Sequence, residues 1–155
     1  MYQITPTTAF SNDAACRSAV ALMGYSRSQW PKALLEYYVI DGILDNSLRF
    51  AIAARRVIDH LSLSIEIDET TLHLAGFEGL APETTNLKFA LNGIIHSHDL
   101  KVVSSEVSPD YSTYQDVQSY MPSSLLFVTD QRREGRISIY DMAVAYLRNV
   151  TPSSK

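Results

Sequence analysis

A chain of 155 residues with a formal net charge of −4, 46% hydrophobic and 19% charged, has the composition of an ordinary globular protein. The apolar fraction excludes a disordered chain. The net acidity excludes broad, non-specific attraction to nucleic acid or anionic membranes, which requires a basic face. Cys16 is the only cysteine, so no intrachain disulfide forms and nothing points to an oxidising compartment. The length is that of a single domain, 1–155, with 1–10 and 151–155 expected to be frayed. No apolar run approaches the ~18 residues of a membrane span, and MYQITPTTAF has neither the basic nor the apolar region of a leader. A cytoplasmic protein without a targeting segment and without membrane contact is expected.

In chain order, Ser11 is positioned to cap a first helix whose apolar residues Ala15, Val20, Leu22 and Met23 run up to Gly24. The stretch Trp30 to Leu61 is the core helix. Pro31 opens it, and Ile40, Ile43, Leu44, Ala51, Ala54, Ile58 and Leu61 step by three and four to form one apolar stripe. Unbroken, it would be about 46 Å long, against a radius of gyration of about 15 Å for a compact chain of this size. It should therefore break, at Gly42 or in Asp45-Asn46-Ser47, or project into a partner.

After Leu61 the period shortens to two. Leu61 to Ile67 and Leu72 to Leu74 predict a hairpin turning at Asp68-Glu69-Thr70, with His73 facing solvent. Gly76 to Thr85 reads as a loop, and Thr84 or Thr85 caps a helix with Leu87, Ala90, Leu91, Ile94 and Ile95 on its apolar face. Lys88, Asn92 and His96 form a polar stripe on another side. Lys101 to Val107 predicts an edge strand, and Ser108 to Ser124 a long loop without period. Leu125 to Asp130 and Arg136 to Tyr140 predict a second hairpin across Gln131 to Gly135, and Asp141 caps a last helix, Met142 to Asn149. The whole is an α+β fold, a helical core of three or four helices with two β-hairpins in a single domain.

Two sets of residues carry a resemblance. Arg55 and His60, an Arg-x4-His spacing on the core helix, resemble the signature of the HEPN superfamily, small helical proteins many of which are metal-independent ribonucleases. The resemblance implies an arginine and a histidine meeting in a cleft at a dimer interface to cleave RNA. Chemically, histidine moves a proton near neutral pH and arginine grips a phosphate through two parallel hydrogen bonds. Residues five apart point about 140° away from each other on a helix, whereas Arg56 and His60, four apart, share a face. The structural alternative pairs Arg55 with Asp59 across one turn, worth a few tenths of a kcal/mol. Leu91-Asn92-Gly93-Ile94-Ile95-His96-Ser97, with the Leu125 to Tyr140 hairpin and the Ile139 to Ala143 segment, is similar over residues 86–148 to uncharacterised bacterial proteins sharing an ALNxIIHA-like helix. Some are HEPN-like and others belong to mobile elements. This chain has Gly93, Ser97 and Lys88 where that pattern has lysine, alanine and arginine.

Other constellations point to binding. Asn92 and His96 lie one turn apart at the end of their helix, where a histidine also complements the helix dipole. Tyr111, Tyr114 and Tyr120, set among Ser, Asp and Gln, supply rigid contact area beside adaptable polar groups, or else anchor an irregular loop. Arg132, Arg133 and Arg136 cluster at the second hairpin with Glu134 among them, as a solvated turn does. His96-Ser97-His98-Asp99 lacks the partners of a metal site, and no phosphate loop, dinucleotide fingerprint or nucleophile elbow is present. Neither metal nor cofactor is expected. The expected function is a small binding or adaptor protein, homodimeric through the long helix with Leu48 and Ile52 on its second apolar side. Its protein partner or small ligand is open, and a pocket between the helical core and the second hairpin is one place for the latter. The alternative is a HEPN-like ribonuclease using Arg55 or Arg56 with His60, or else His96, and only there is RNA a partner.

Overall fold

The computed structural model describes residues 5–67, 85–114 and 117–150. Helix α1 spans Pro6–Ser26 and opens ahead of the expected Ser11. Thr5 is the cap, its Oγ1 accepting from the Thr8 N–H at 3.2 Å, and Pro6 takes the first position, where an N–H is not needed. The helix passes through Gly24 instead of stopping there. Its inward residues are Thr8, Ser11, Ala15, Ser18, Ala19, Leu22 and Ser26, spaced by three and four but mostly small. Such a face shows little apolar period in sequence, and it allows α1 to lie close along the long helix.

The long helical run is continuous from Lys32 to Leu61. A two-residue strand β1 (Trp30–Pro31) leads into a single turn α2 (Lys32–Leu34), a π-helical segment Leu35–Val39 and the regular helix α3, Ile40–Leu61. The irregularity thus falls upstream of both expected break points. Gly42 is a packing position: the Tyr25 ring of α1 lies where its Cβ would be. Asp45 pairs with Arg49 at 3.0 Å, and the Asn46 side chain donates to the Gly42 carbonyl at 2.8 Å, so these polar groups satisfy themselves along the helix. Of the expected stripe, Ile43, Ala51, Ala54 and Ile58 are buried, with Phe50, Ala53 and Val57 beside them. The helix ends on Ser62, which takes the left-handed conformation at φ 52° while the Leu63 N–H reaches the Ile58 carbonyl at 3.0 Å.

Ser47 is fully buried in α3, and its hydroxyl has no hydrogen-bond partner among the described residues. Leaving a buried hydroxyl unpaired is unfavourable. Ser47→Ala is therefore expected to stabilise the protein by about 1 kcal/mol, alanine also being the better helix former. Thermal unfolding checks it, and a fall in Tm would show that the hydroxyl is in fact bonded.

Leu63 to Ile67 does not meet the strand expected of it among the described residues. Instead it runs beside the entry to the next helix, with the Leu87 N–H on the Ile65 carbonyl at 2.9 Å and a single bridge between Glu66 and Asn86. The turn at 68–70, the return arm at 72–74 with His73, the 76–84 loop with Thr84, and the 151–155 tail lie outside the described residues. Asn86, not Thr85, caps helix α4 (Leu87–Ile95), its Oδ1 accepting from the Phe89 N–H at 3.3 Å.

The sheet is antiparallel, with β3 (Ser119–Thr129) at its centre. β2 (Ser97–Glu106) pairs along one side of it; β4 (Glu134–Ser138) and the short β1 share the other. The last third of the expected long loop, from Ser119 to Ser124, is therefore strand. Ser119 to Ser124 pairs with β2 although it carries Pro122, because the register slips there and Ser123 is the extra residue of a bulge. The β3–β4 hairpin is the second one expected, but its glycine is displaced from the turn. Arg132 takes the left-handed position at φ 57°, the turn closing from the Thr129 N–H to the Arg133 carbonyl at 2.8 Å, while Gly135 sits in β4 opposite Phe127. The last helix, α5 (Ile139–Val150), starts earlier than expected: the Ser138 Oγ accepts from the Asp141 N–H at 3.2 Å, and Asp141 is buried in the first turn. α4 and α5 lie against β3, and α1 and α4 flank α3, which gives an α+β fold with α3 at the centre of its helices.

Candidate functional site

Arg55 and His60 do not form a pair. The Arg55 Nε donates to the Asp59 carboxylate at 2.8 Å, and Lys88 of α4 reaches the other oxygen at 3.1 Å. The Arg55 guanidinium beside it holds the Asp59 carboxyl below its ordinary value; partial burial opposes this and the Lys88 ammonium adds to it. The triplet ties α3 to α4. Arg56 and His60 are exposed on α3 with one turn between them.

Asn92 and His96 are brought into a cleft of about 590 Å³ between α4 and the β3–β4 hairpin. Phe89, Asn92 and His96 recur on one face of α4, and Thr129, Arg133 and Glu134 stand opposite. Phe127 is at the base, its ring against Gly93 and Gly135. His96 ends the helix, its N–H on the Asn92 carbonyl at 2.9 Å, and its own carbonyl accepts from the Asp130 N–H at 3.1 Å, which fixes the hairpin turn to the end of α4. The Asn92 Oδ1 is closed off without a hydrogen-bond partner among the described residues. The cleft lies between the helical core and the second hairpin, and its volume is in the range of small-molecule sites. Among the described residues no three His, Cys, Asp or Glu side chains converge as metal ligands.

The three tyrosines separate. Tyr111 is 79% exposed and Tyr114 is also exposed, whereas Tyr120 lies within β3, partly buried against the core and opposite Trp30. Two tyrosines thus offer contact area and the third is an anchor. Gln29 holds the loop from below, its Nε2 donating to the Tyr111 carbonyl at 3.0 Å and its Oε1 accepting from the Thr113 N–H at 2.8 Å. An amide that satisfies both directions of the backbone fixes an irregular segment as a strand neighbour would.

The outer surface of the long helical run carries more apolar residues than the sequence singled out. Tyr37 and Tyr38 of the π-helical segment are 72% and 71% exposed, and Leu34, Leu48 and Ile52 also face outward. Ile52 lines a groove of about 640 Å³ between α1 and α3 together with Phe10, Ala14 and Arg56. Only Leu48 and Ile52 were legible, as apolar residues off the main stripe; the tyrosines are turned outward where the π-helical segment shifts the helical phase. No helix among the described residues is long and apolar enough to cross a membrane. Compared with protein-family models, curated proteins and solved structures, the chain matches none.

Proposed function

We propose that this is a small cytoplasmic binding or adaptor protein that works as a homodimer joined through its long helix. The observation that carries the reading is the exposed apolar surface formed by Leu34, Tyr37, Tyr38, Leu48 and Ile52 along one helical run. Leu34, Tyr37 and Tyr38 form one exposed apolar group and Leu48 and Ile52 a second, with Asp41 and Asp45 between them. Exposed apolar groups of this kind mark contact sites, and aromatic residues are the enriched contributors there. The α4–hairpin cleft with Asn92 and His96, and the Tyr111 and Tyr114 surface, then remain free to take a small ligand or a protein partner. A second reading, a metal-independent ribonuclease, rests on Arg56 and His60, both exposed on α3 with no ion pair among the described residues. Light scattering on the purified protein at micromolar concentration is expected to give the mass of a dimer, and a monomer would overturn the reading. The same sample, incubated with mixed RNA in excess EDTA, is expected to leave it intact. Cleavage that is lost in Arg56→Ala/His60→Ala would establish the ribonuclease instead.

A further inference from the structure

The outer face of α3 is ordered by charge along its length. At about 100° per residue, Asp41, Asp45, Leu48, Ile52 and Arg56 fall within an arc of about 80°, and all five side chains are exposed. The order is acidic, apolar, basic. Asp45 already has Arg49 as a partner at 3.0 Å. Among the described residues Asp41 and Arg56 have no ion-pair partner, and they stand about 22 Å apart on either side of Leu48. Within one chain these two charges never meet, yet in a second copy running the other way each faces its opposite.

We infer that the partner of this face is a second copy of the chain, packed antiparallel about a two-fold axis beside Leu48, with Asp41 of each copy against Arg56 of the other. The inference rests on the homodimer reading and adds its geometry. In an isologous interface any surface contact occurs twice, so a face that is acidic at one end and basic at the other is self-complementary only in the antiparallel sense. A parallel pairing would set Asp41 against Asp41 and Arg56 against Arg56. Leu48 meets its own counterpart on the axis, and Ile52 is covered next to it with the groove it shares with Phe10. The charges select orientation more than they add affinity.

Sedimentation velocity over a concentration series separates the geometry from the reading beneath it. Asp41→Arg and Arg56→Asp are each expected to weaken the dimer at least tenfold at low salt, because each places two like-charge contacts in the interface, and Asp41→Arg/Arg56→Asp is expected to restore it to within about threefold of wild type. Both positions are exposed, and an unchanged circular dichroism spectrum confirms that all three variants fold. A wild-type dimer indifferent to either reversal, or a double variant no tighter than the single ones, overturns the antiparallel geometry while leaving the dimer standing. A wild-type monomer at 100 µM, about a hundredfold above a micromolar dissociation constant, overturns both.

Discussion

Gly93→Ala is expected to destabilise the protein by about 2 kcal/mol, a fall of about 6 °C in Tm for a chain of this size. Helix propensity predicts the opposite sign, since Gly93 lies inside α4 and alanine there is worth about 1 kcal/mol over glycine. Packing decides the matter. The Phe127 ring passes between α4 and β4, and a Cβ added to either Gly93 or Gly135 would overlap the ring atoms themselves. Phe127 is only 6% exposed and its ring is held between the two glycines, so a methyl group on either side displaces it, and overpacking of this kind costs about 1–3 kcal/mol beyond what is gained. Gly135→Ala should behave alike. Shortening the ring position, in Gly93→Ala/Phe127→Leu, is expected to recover part of the loss relative to Gly93→Ala. Thermal unfolding followed by circular dichroism reads all three variants. A Gly93→Ala protein as stable as wild type would show that Phe127 does not occupy this slot. The consequence reaches the cleft as well, because the same ring is its base and Asn92 is the neighbour of Gly93.

The elements that were readable from sequence are those in which one physical signal dominates. α3 is held by apolar residues at helical spacing, so its inward face could be named from Ile43, Ala51, Ala54 and Ile58, and the Arg55–Asp59 pair follows from the four-residue separation alone. The third member of that cluster, Lys88, is far along the chain and is brought in only by the packing of α4 on α3. The start of α1 was hidden because its buried face is built from Thr8, Ser11, Ala15 and Ser18, whose small size suits a close helix contact but carries no hydrophobic period. Ser119 to Ser124 was hidden for a related reason: serine and proline read as loop, and only the long pairing with β2 overrides that local preference. At the candidate site the sequence located the polar face of α4, hence Asn92 and His96, but not the wall supplied by Thr129, Arg133 and Glu134. The glycine near the hairpin was noticed and misplaced, because a turn is the usual reason for glycine and the approach of an aromatic ring from another element leaves no local trace.

The larger expected effect is at Tyr146, which is fully buried in α5 and joins three elements. Its ring meets Phe50 of α3 edge to face at 5.5 Å, and its hydroxyl donates to the Asn12 Oδ1 of α1 at 2.7 Å. Tyr146→Ala is expected to cost about 4 kcal/mol, as truncation of a buried aromatic does, while Tyr146→Phe keeps the ring contact and is expected to cost about 1 kcal/mol for the lost hydrogen bond. The two variants also differ in how pH acts. Burial pushes the Tyr146 phenol well above its ordinary value of 10.0, the Cys16 thiol group adding to the shift. A group whose pKa is raised on folding contributes stability that is complete below the unfolded value and is lost as pH rises above it. Wild type is thus expected to lose about 1.4 kcal/mol per pH unit from about pH 10 upward through this group. Tyr146→Phe has no proton to lose there, so its urea midpoint should fall less steeply between pH 9.5 and 11.5, and the stability gap between the two proteins should close within about one pH unit above pH 10 and then reverse. A constant gap across that range would mean that the Tyr146 hydroxyl titrates equally in the folded and unfolded chain, and that the α1–α5 contact through Asn12 is open to water.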